Sequence, residues 1–256
     1  MPAAGHDHIF VMDARGDHTR QLTHGQSSDL HPAFSADGQS IAFDHFVGNT
    51  AVGIYVVDAG GGSARHVPKT GGRDGAPAFS PNGKRIAFQS YRGGGGSQVW
   101  TRGVDGGHPR QLTHADADSY GPAYSPDGHW IAFVRSAHLY LMHTDGSGAR
   151  RLTAGRYDSS PAFSSDGRRI AFTRNGDVYV LRLERHRLHR LTRTAFDEGA
   201  PRFSPDGRRI VFSRAESLSG EGFDKRGIYV MRADGAHVRR VDHVPSAGLD
   251  WQPLPR

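Results

Sequence analysis

The chain of 256 residues contains no cysteine. Disulfides, thiolate metal sites and a cysteine nucleophile are thereby excluded. No apolar run approaches the roughly 20 residues of a membrane-spanning helix. Met1 to Asp7 lacks the basic start and apolar middle of an export signal. Helical periodicity is missing throughout, so the sequence reads as strands and turns. There is no Gly-x-Ser-x-Gly elbow, phosphate-binding loop or dinucleotide fingerprint, so the marks of several large enzyme classes are missing.

What is present is a repeat. His31-Pro32-Ala33-Phe34-Ser35-Ala36-Asp37-Gly38 returns as Ala76 to Gly83, Gly121 to Gly128, Ser160 to Gly167 and Ala200 to Gly207. Each copy runs into a short apolar stretch: Ile41-Ala42-Phe43, Ile86-Ala87-Phe88, Ile131-Ala132-Phe133, Ile170-Ala171-Phe172 and Ile210-Val211-Phe212. The prolines fall at 32, 77, 122, 161 and 201. A period of about 40 to 45 residues with several short strands per unit is the signature of a β-propeller.

One unit shows the strands. Ala123-Tyr124-Ser125 is a first strand, and Pro126-Asp127-Gly128 a tight turn in which proline presets φ and glycine accepts a positive one. Trp130-Ile131-Ala132-Phe133 is the second strand. His138 to Met142 is the third, apolar on both faces as a strand between neighbouring blades should be. Arg150-Arg151-Leu152-Thr153 is the half-polar outer strand. The blades predicted are 32–68, 77–113, 122–153, 161–192 and 201–241.

The ends complete the pattern. Residues 8–23 read as a third and fourth strand, and 249–253 as a first strand. The expectation is an all-β, six-bladed propeller of four-stranded antiparallel blades, one domain over 1–256, closed by pairing of the N- and C-terminal strands. The split blade lacks a second strand, so the chain is expected to start inside a blade, with at least one more strand upstream in a natural precursor.

The net charge of +6 raises the question of nucleic acid. The basic residues, however, recur at one position, the outer strand: Arg20-Gln21-Leu22-Thr23, Arg110-Gln111-Leu112-Thr113, Arg150-Arg151, His189-Arg190 and Arg239-Arg240. Exposed edge strands carry charge to block edge-to-edge pairing. No base-stacking aromatics are interleaved. A solvated rim is the reading, with no nucleic-acid partner, no membrane span and a monomeric state.

In a four-stranded antiparallel blade, loops alternate between faces. One face holds the uniform Asp-Gly turns. The other holds the length variation: Asp44 to Gly53, Gln89 to Ser97 and Ser213 to Gly227. Function concentrates in variable loops on a rigid scaffold. On that face an acid recurs three or four residues before each repeat proline: Asp29, Asp74, Asp118, Asp158, and Asp197 with Glu198. These are expected to ring the channel mouth. Carboxylates roughly 10 Å apart repel by about 1–2 kcal/mol at an effective dielectric near 20. Such a ring favours a cation or a basic partner, and Asp29, Asp74 and Asp158 are candidate ligands for Ca²⁺. Aspartate before a strand also caps turns through its own backbone, and both readings stand. Arg135, Arg174 and Arg214 end the second strands and should reach the same face, to pair with the acids or clamp an anion. Among 16 histidines, His31 directly precedes a repeat proline and is the candidate histidine ligand.

The unit Pro-Ala-Phe-Ser-Pro-Asp-Gly, Ile-Ala-Phe, Ile-Tyr-Val-Met, Asp-Gly, Arg-Gln-Leu-Thr resembles the WD40-like repeat of the TolB family from about His8 to Pro253. Leu249-Asp250-Trp251-Gln252-Pro253 is similar to that family's closing strand. The resemblance implies a six-bladed propeller, a periplasmic or other extracytoplasmic location, and a protein partner at the channel mouth. Near-identical repeats argue against a catalytic site, which needs different residues in different roles. The expected function is therefore a non-enzymatic protein- or peptide-binding scaffold that requires no cofactor, with Ca²⁺ at the mouth as an option. The alternative is a cation-dependent lyase or hydrolase acting on a sugar or lactone in the channel.

Overall fold

The computed structural model describes residues 6–48, 50–68, 70, 73–155, 157–215, 226–243 and 248–253. Every regular element among them is a strand. A short ribbon comes first, β1 (Phe10–Val11) with β2 (Arg20–Gln21). Five four-stranded antiparallel sheets follow. Blade 1 is β3 (Ser27–Phe34), β4 (Ser40–Val47), β5 (Thr50–Asp58) and β6 (Arg65–His66). Blade 2 is β7 (Asp74–Phe79), β8 (Arg85–Ser90), β9 (Gln98–Gly103) and β10 (Gly106–Gln111). Blade 3 is β11 (Ser119–Tyr124), β12 (Trp130–Arg135), β13 (His138–His143) and β14 (Arg150–Arg151). Blade 4 is β15 (Asp158–Phe163), β16 (Arg169–Arg174), β17 (Asp177–Arg182) and β18 (Arg187–Arg190). Blade 5 is β19 (Glu198–Phe203), β20 (Arg209–Arg214), β21 (Gly227–Arg232) and β22 (Arg239–Asp242).

Six blades are therefore not what forms: the four-stranded blades among the described residues number five. Among the described residues β1 pairs only with β2, and 249–253 makes no strand. The reason lies in sheet order. A first and a third strand of one blade are not neighbours, so a second strand is needed between them, and no described residues occupy that place. A groove of about 790 Å³ lies there, lined by the ribbon, blades 1 and 5 and the C-terminal segment. That segment bridges blades 1 and 5 by side chains. The Phe34 amide donates to Asp250 Oδ2 at 2.7 Å, and Trp251 Nε1 donates to the Arg202 carbonyl at 3.2 Å.

Apolar alternation builds the core. Phe43, Phe88, Phe133, Phe172 and Phe212, one per second strand, are all at most 1% exposed. Four core clusters each draw on two neighbouring blades; Ala42, Ile54 and Val56 of blade 1, for example, pack on Ile86 and Phe88 of blade 2. Burying each such side chain contributes roughly 1.5–3 kcal/mol. The innermost strands contact one another in sequence from β3 to β19. The arginines of β2, β14 and β18 lie exposed on outer strands.

Every first-to-second strand turn is locked alike. Ser35, Ser125, Ser164 and Ser204 donate through Oγ to Asp37, Asp127, Asp166 and Asp206, while blade 2 uses Ser80 with Asn82. The serine hydroxyl and a backbone amide two residues on hold the Asp37, Asp127 and Asp206 carboxyls below the ordinary 3.8. A carboxyl depressed in the fold adds stability above its unfolded pKa and loses it as pH falls through the folded one. Asn82 shows that an amide keeps the turn. Changing all four aspartates to asparagine should therefore flatten the acid limb of stability between about pH 5 and pH 3. Thermal melting across that range checks it; an unchanged acid limb would show that the turns do not carry it.

Candidate functional site

The innermost strands share a second feature. His31, Ala76, Ser160 and Ala200 sit at φ 50, 49, 53 and 47°, and Gly121 at 59°. Strand register shifts at each of these residues, so every innermost strand carries a bulge just before its proline. Left-handed backbone at a non-glycine residue persists only where the surroundings dictate it. The bulge also sets which upstream side chain faces the neighbouring strand.

The consequence is a row of register pairs at one end of the blades. In blades 2 to 5 the first residue of the innermost strand lies opposite the last residue of the second: Asp74 with Ser90, Ser119 with Arg135, Asp158 with Arg174, and Glu198 with Arg214; in blade 1, whose strands run two residues further, the equivalent pair is Asp29 with His45. In four blades the acid meets a basic group of its own blade. His45 Nδ1 is 2.6 Å from Asp29 Oδ1. Arg92 Nη2 donates to Asp74. Arg174 grips Asp158 with Nε at 2.5 Å and Nη2 at 2.9 Å, and the Thr153 hydroxyl also donates to it. Arg214 Nε and Nη2 both donate to Glu198 Oε1, at 3.2 and 2.7 Å. All four acids are buried.

The expected ring thus resolves into two sets. Asp29, Asp74, Asp158 and Glu198, three residues before their prolines, are buried and paired. Asp118 and Asp197, four residues before theirs, are exposed. Asp118 Oδ1 accepts the Ser97 amide at 2.7 Å, and Asp197 packs against Gly176. Arg174 and Arg214 are in acid pairs. Arg135 is not: its Nε donates to Ser119 Oγ at 3.1 Å.

His31 belongs to a different group. It lines the groove, and its Nδ1 lies 2.7 Å from Oδ2 of buried Asp44. The hydrogen bond to Asp44 raises the His31 pKa above 6.5. Burial pushes the Asp44 carboxyl up, and the His31 bond works against it. Its Oδ1 has no hydrogen-bond partner among the described residues. Arg202 faces both His31 and Asp250 electrostatically, and burial holds the Asp250 carboxyl above its ordinary range.

Asp44, Arg92, Ser119, Arg202 and Asp250 went unread in the sequence. Arg202 had a signal: it replaces the alanine that follows the repeat proline in the other four copies. Ser119 had one too, as the exception at an otherwise acidic position. No group of three or more His, Asp or Glu among the described residues could hold a metal ion. Asp29, Asp74 and Asp158 are each engaged within their own blade instead.

The variable connections differ from one another in kind. Asp44 to Gly53 is mostly strand, the long hairpin of β4 and β5. Tyr91 to Ser97 links β8 to β9 and presents Tyr91, 42% exposed. Tyr157, just before β15, is 68% exposed at the same end of blade 4. Residues 216–225 of the third connection lie outside the described residues.

The family model of the TolB beta propeller domain matches residues 45–177. In fold the chain is similar to TolB from Acinetobacter baumannii, with 24% identity and a TM-score of 0.77 over 90% of this chain and 58% of that one. It is similar to a putative TolB from Agrobacterium tumefaciens, with 24% identity and a TM-score of 0.74 over 92% and 90%. A chain of a nidogen/laminin complex gives 12% identity and a TM-score of 0.73 over 90% and 87%. This chain thus spans less than two thirds of the Acinetobacter protein's length. No curated protein matches it in sequence.

Proposed function

Because this chain belongs to the TolB beta propeller domain family, we propose that it is a non-enzymatic scaffold that binds a protein or peptide segment on its variable-loop face. The observation that carries the reading is the contrast between the two ends of the blades. One end repeats a locked Ser-x-Asp-Gly turn or its asparagine form in every blade. The other displays Tyr91 and Tyr157 beside connections of unequal length. Tyrosine with arginine is the side-chain chemistry enriched at the centres of protein interfaces. The buried acid pairs make this end rigid, so a partner docks without ordering it first.

The lyase or hydrolase alternative has less support. It needs acids and histidines converging on one ion, and the acids of the mouth are held apart in separate blades. Action in the periplasm or elsewhere outside the cytoplasm is part of the proposal and rests on family membership.

The test is selection of a random linear peptide library, displayed on phage, against the intact protein. Selected peptides should lose at least about tenfold in affinity, or ~1.4 kcal/mol, for the Tyr91→Ser/Tyr157→Ser double variant. Recovery of no binders, or of binders indifferent to both tyrosines, would overturn the reading.

A further inference from the structure

Four blades close the loop-face end with an acid of their own chain held by a basic side chain, and blade 3 does not. Its register pair is Ser119 with Arg135. The guanidinium of Arg135 nevertheless sits where its counterparts sit. It lies 5.1 Å from the Phe133 ring and 5.1 Å from Tyr140. Arg174 lies 5.2 Å from Phe172 and 5.4 Å from Tyr179. The same two-ring shelf therefore aims both arginines.

What differs is the acceptor. Arg174 uses Nε and Nη2 on the two oxygens of Asp158. Arg135 has the single oxygen of Ser119 at Nε, and no described carboxylate lies within 4 Å of it, the range that defines the other pairs. The adjacent Asp118 does not substitute, because its Oδ1 is turned to the Ser97 amide of blade 2. Burial without a counter-charge lowers the Arg135 pKa. A guanidinium fork matches a carboxylate in two parallel hydrogen bonds, and stacking on rings pre-organises it. Arg135 is half-buried and reachable at the end of β12, with exposed Tyr91 and Tyr157 on the blades to either side.

The geometry points to a carboxylate receptor at Arg135: an Asp or Glu side chain of the docking segment takes, in blade 3, the place that Asp158 takes in blade 4. This inference rests on the proposed docking function and names the chemistry the partner must bring. The acid is supplied in trans at the one register position where the chain omits its own.

Ser119→Asp supplies the missing acid internally and is the decisive variant. It should raise the melting temperature and close the seat. Peptides selected on the native protein should carry an Asp or Glu at a fixed position. They should bind at least about tenfold more weakly, ~1.4 kcal/mol, to Ser119→Asp and to Arg135→Met. The same loss should follow when the peptide's acid is changed to its amide, while amidating the peptide's C-terminus should change nothing. Peptides that depend on Tyr91 and Tyr157 but bind Ser119→Asp undiminished would overturn the receptor and leave the docking reading standing. Loss on C-terminal amidation alone would overturn the side-chain source. Failure to select any peptide would overturn both.

Discussion

Replacing Asp158 by alanine should lower the unfolding free energy by about 3–5 kcal/mol, the range for breaking a buried ion pair by removing one partner. The Asp158 side chain is fully buried and that of Arg174 only 12% exposed. Alanine would leave the guanidinium desolvated, with both of its bonds to Asp158 unmade. The Thr153 hydroxyl would lose its acceptor as well. Removing Arg174 too, as Asp158→Ala/Arg174→Met, should recover much of the loss, because no stranded charge remains and methionine can lie on the Phe172–Tyr179 shelf. Urea unfolding of the two variants measures both. A single-variant cost below about 1 kcal/mol, as for a solvated pair, would show that Asp158 is free for a ligand and not part of the frame.

Arg102→Met should move stability the other way, by about 2 kcal/mol in favour of the fold. Arg102 is 0% exposed, and its Nη1 and Nη2 have no hydrogen-bond partner among the described residues. It faces Ile86 across the sheet. The same register position holds Val57, Met142, Leu181 and Met231 in the other blades. Among the described residues the guanidinium bonds only through Nε, to the Gly103 carbonyl at 2.9 Å. A buried charge with unmet donors costs more than one packed hydrocarbon of similar length. At about 2–4 °C per kcal/mol for a chain of this size, the melting temperature should rise by roughly 6 °C. Calorimetry reads this directly. A fall would mean that Arg102 meets an acceptor the fold's own atoms do not supply.

These two expectations separate frame from recognition at the loop face. The acids that look most like a binding ring, Asp29, Asp74, Asp158 and Glu198, are buried and paired within their own blades, and the proposed docking residue is the one whose register partner is not an acid. Arg135 stands out only because its equivalents in blades 4 and 5 are satisfied.

Much of this was legible residue by residue. The Pro-Ala-Phe-Ser pattern, the Asp-Gly turns and the Ile-Ala-Phe runs specify strands, turns and inward faces locally, through fixed φ, tolerance of positive φ and a side-chain period of two. The closing blade was not legible, because a segment that reads as a strand becomes one only beside a partner. Residues 249–253 have strand composition and none of the ladder. The acid ring was half legible. A spacing of three or four residues before the proline looks like one class in the sequence, yet a single residue of register turns a strand side chain to the opposite face. Glu198 is buried against Arg214 while Asp197 beside it is exposed.

The repeated sequence by itself determined the blade: its strands, its turns, its apolar faces and its basic rim, all of which follow from local backbone preference and alternation. The tertiary structure alone decided how many blades close and which charges find each other. Those outcomes depend on bulges and on strands about 16 residues apart meeting in register, a match that no local propensity encodes.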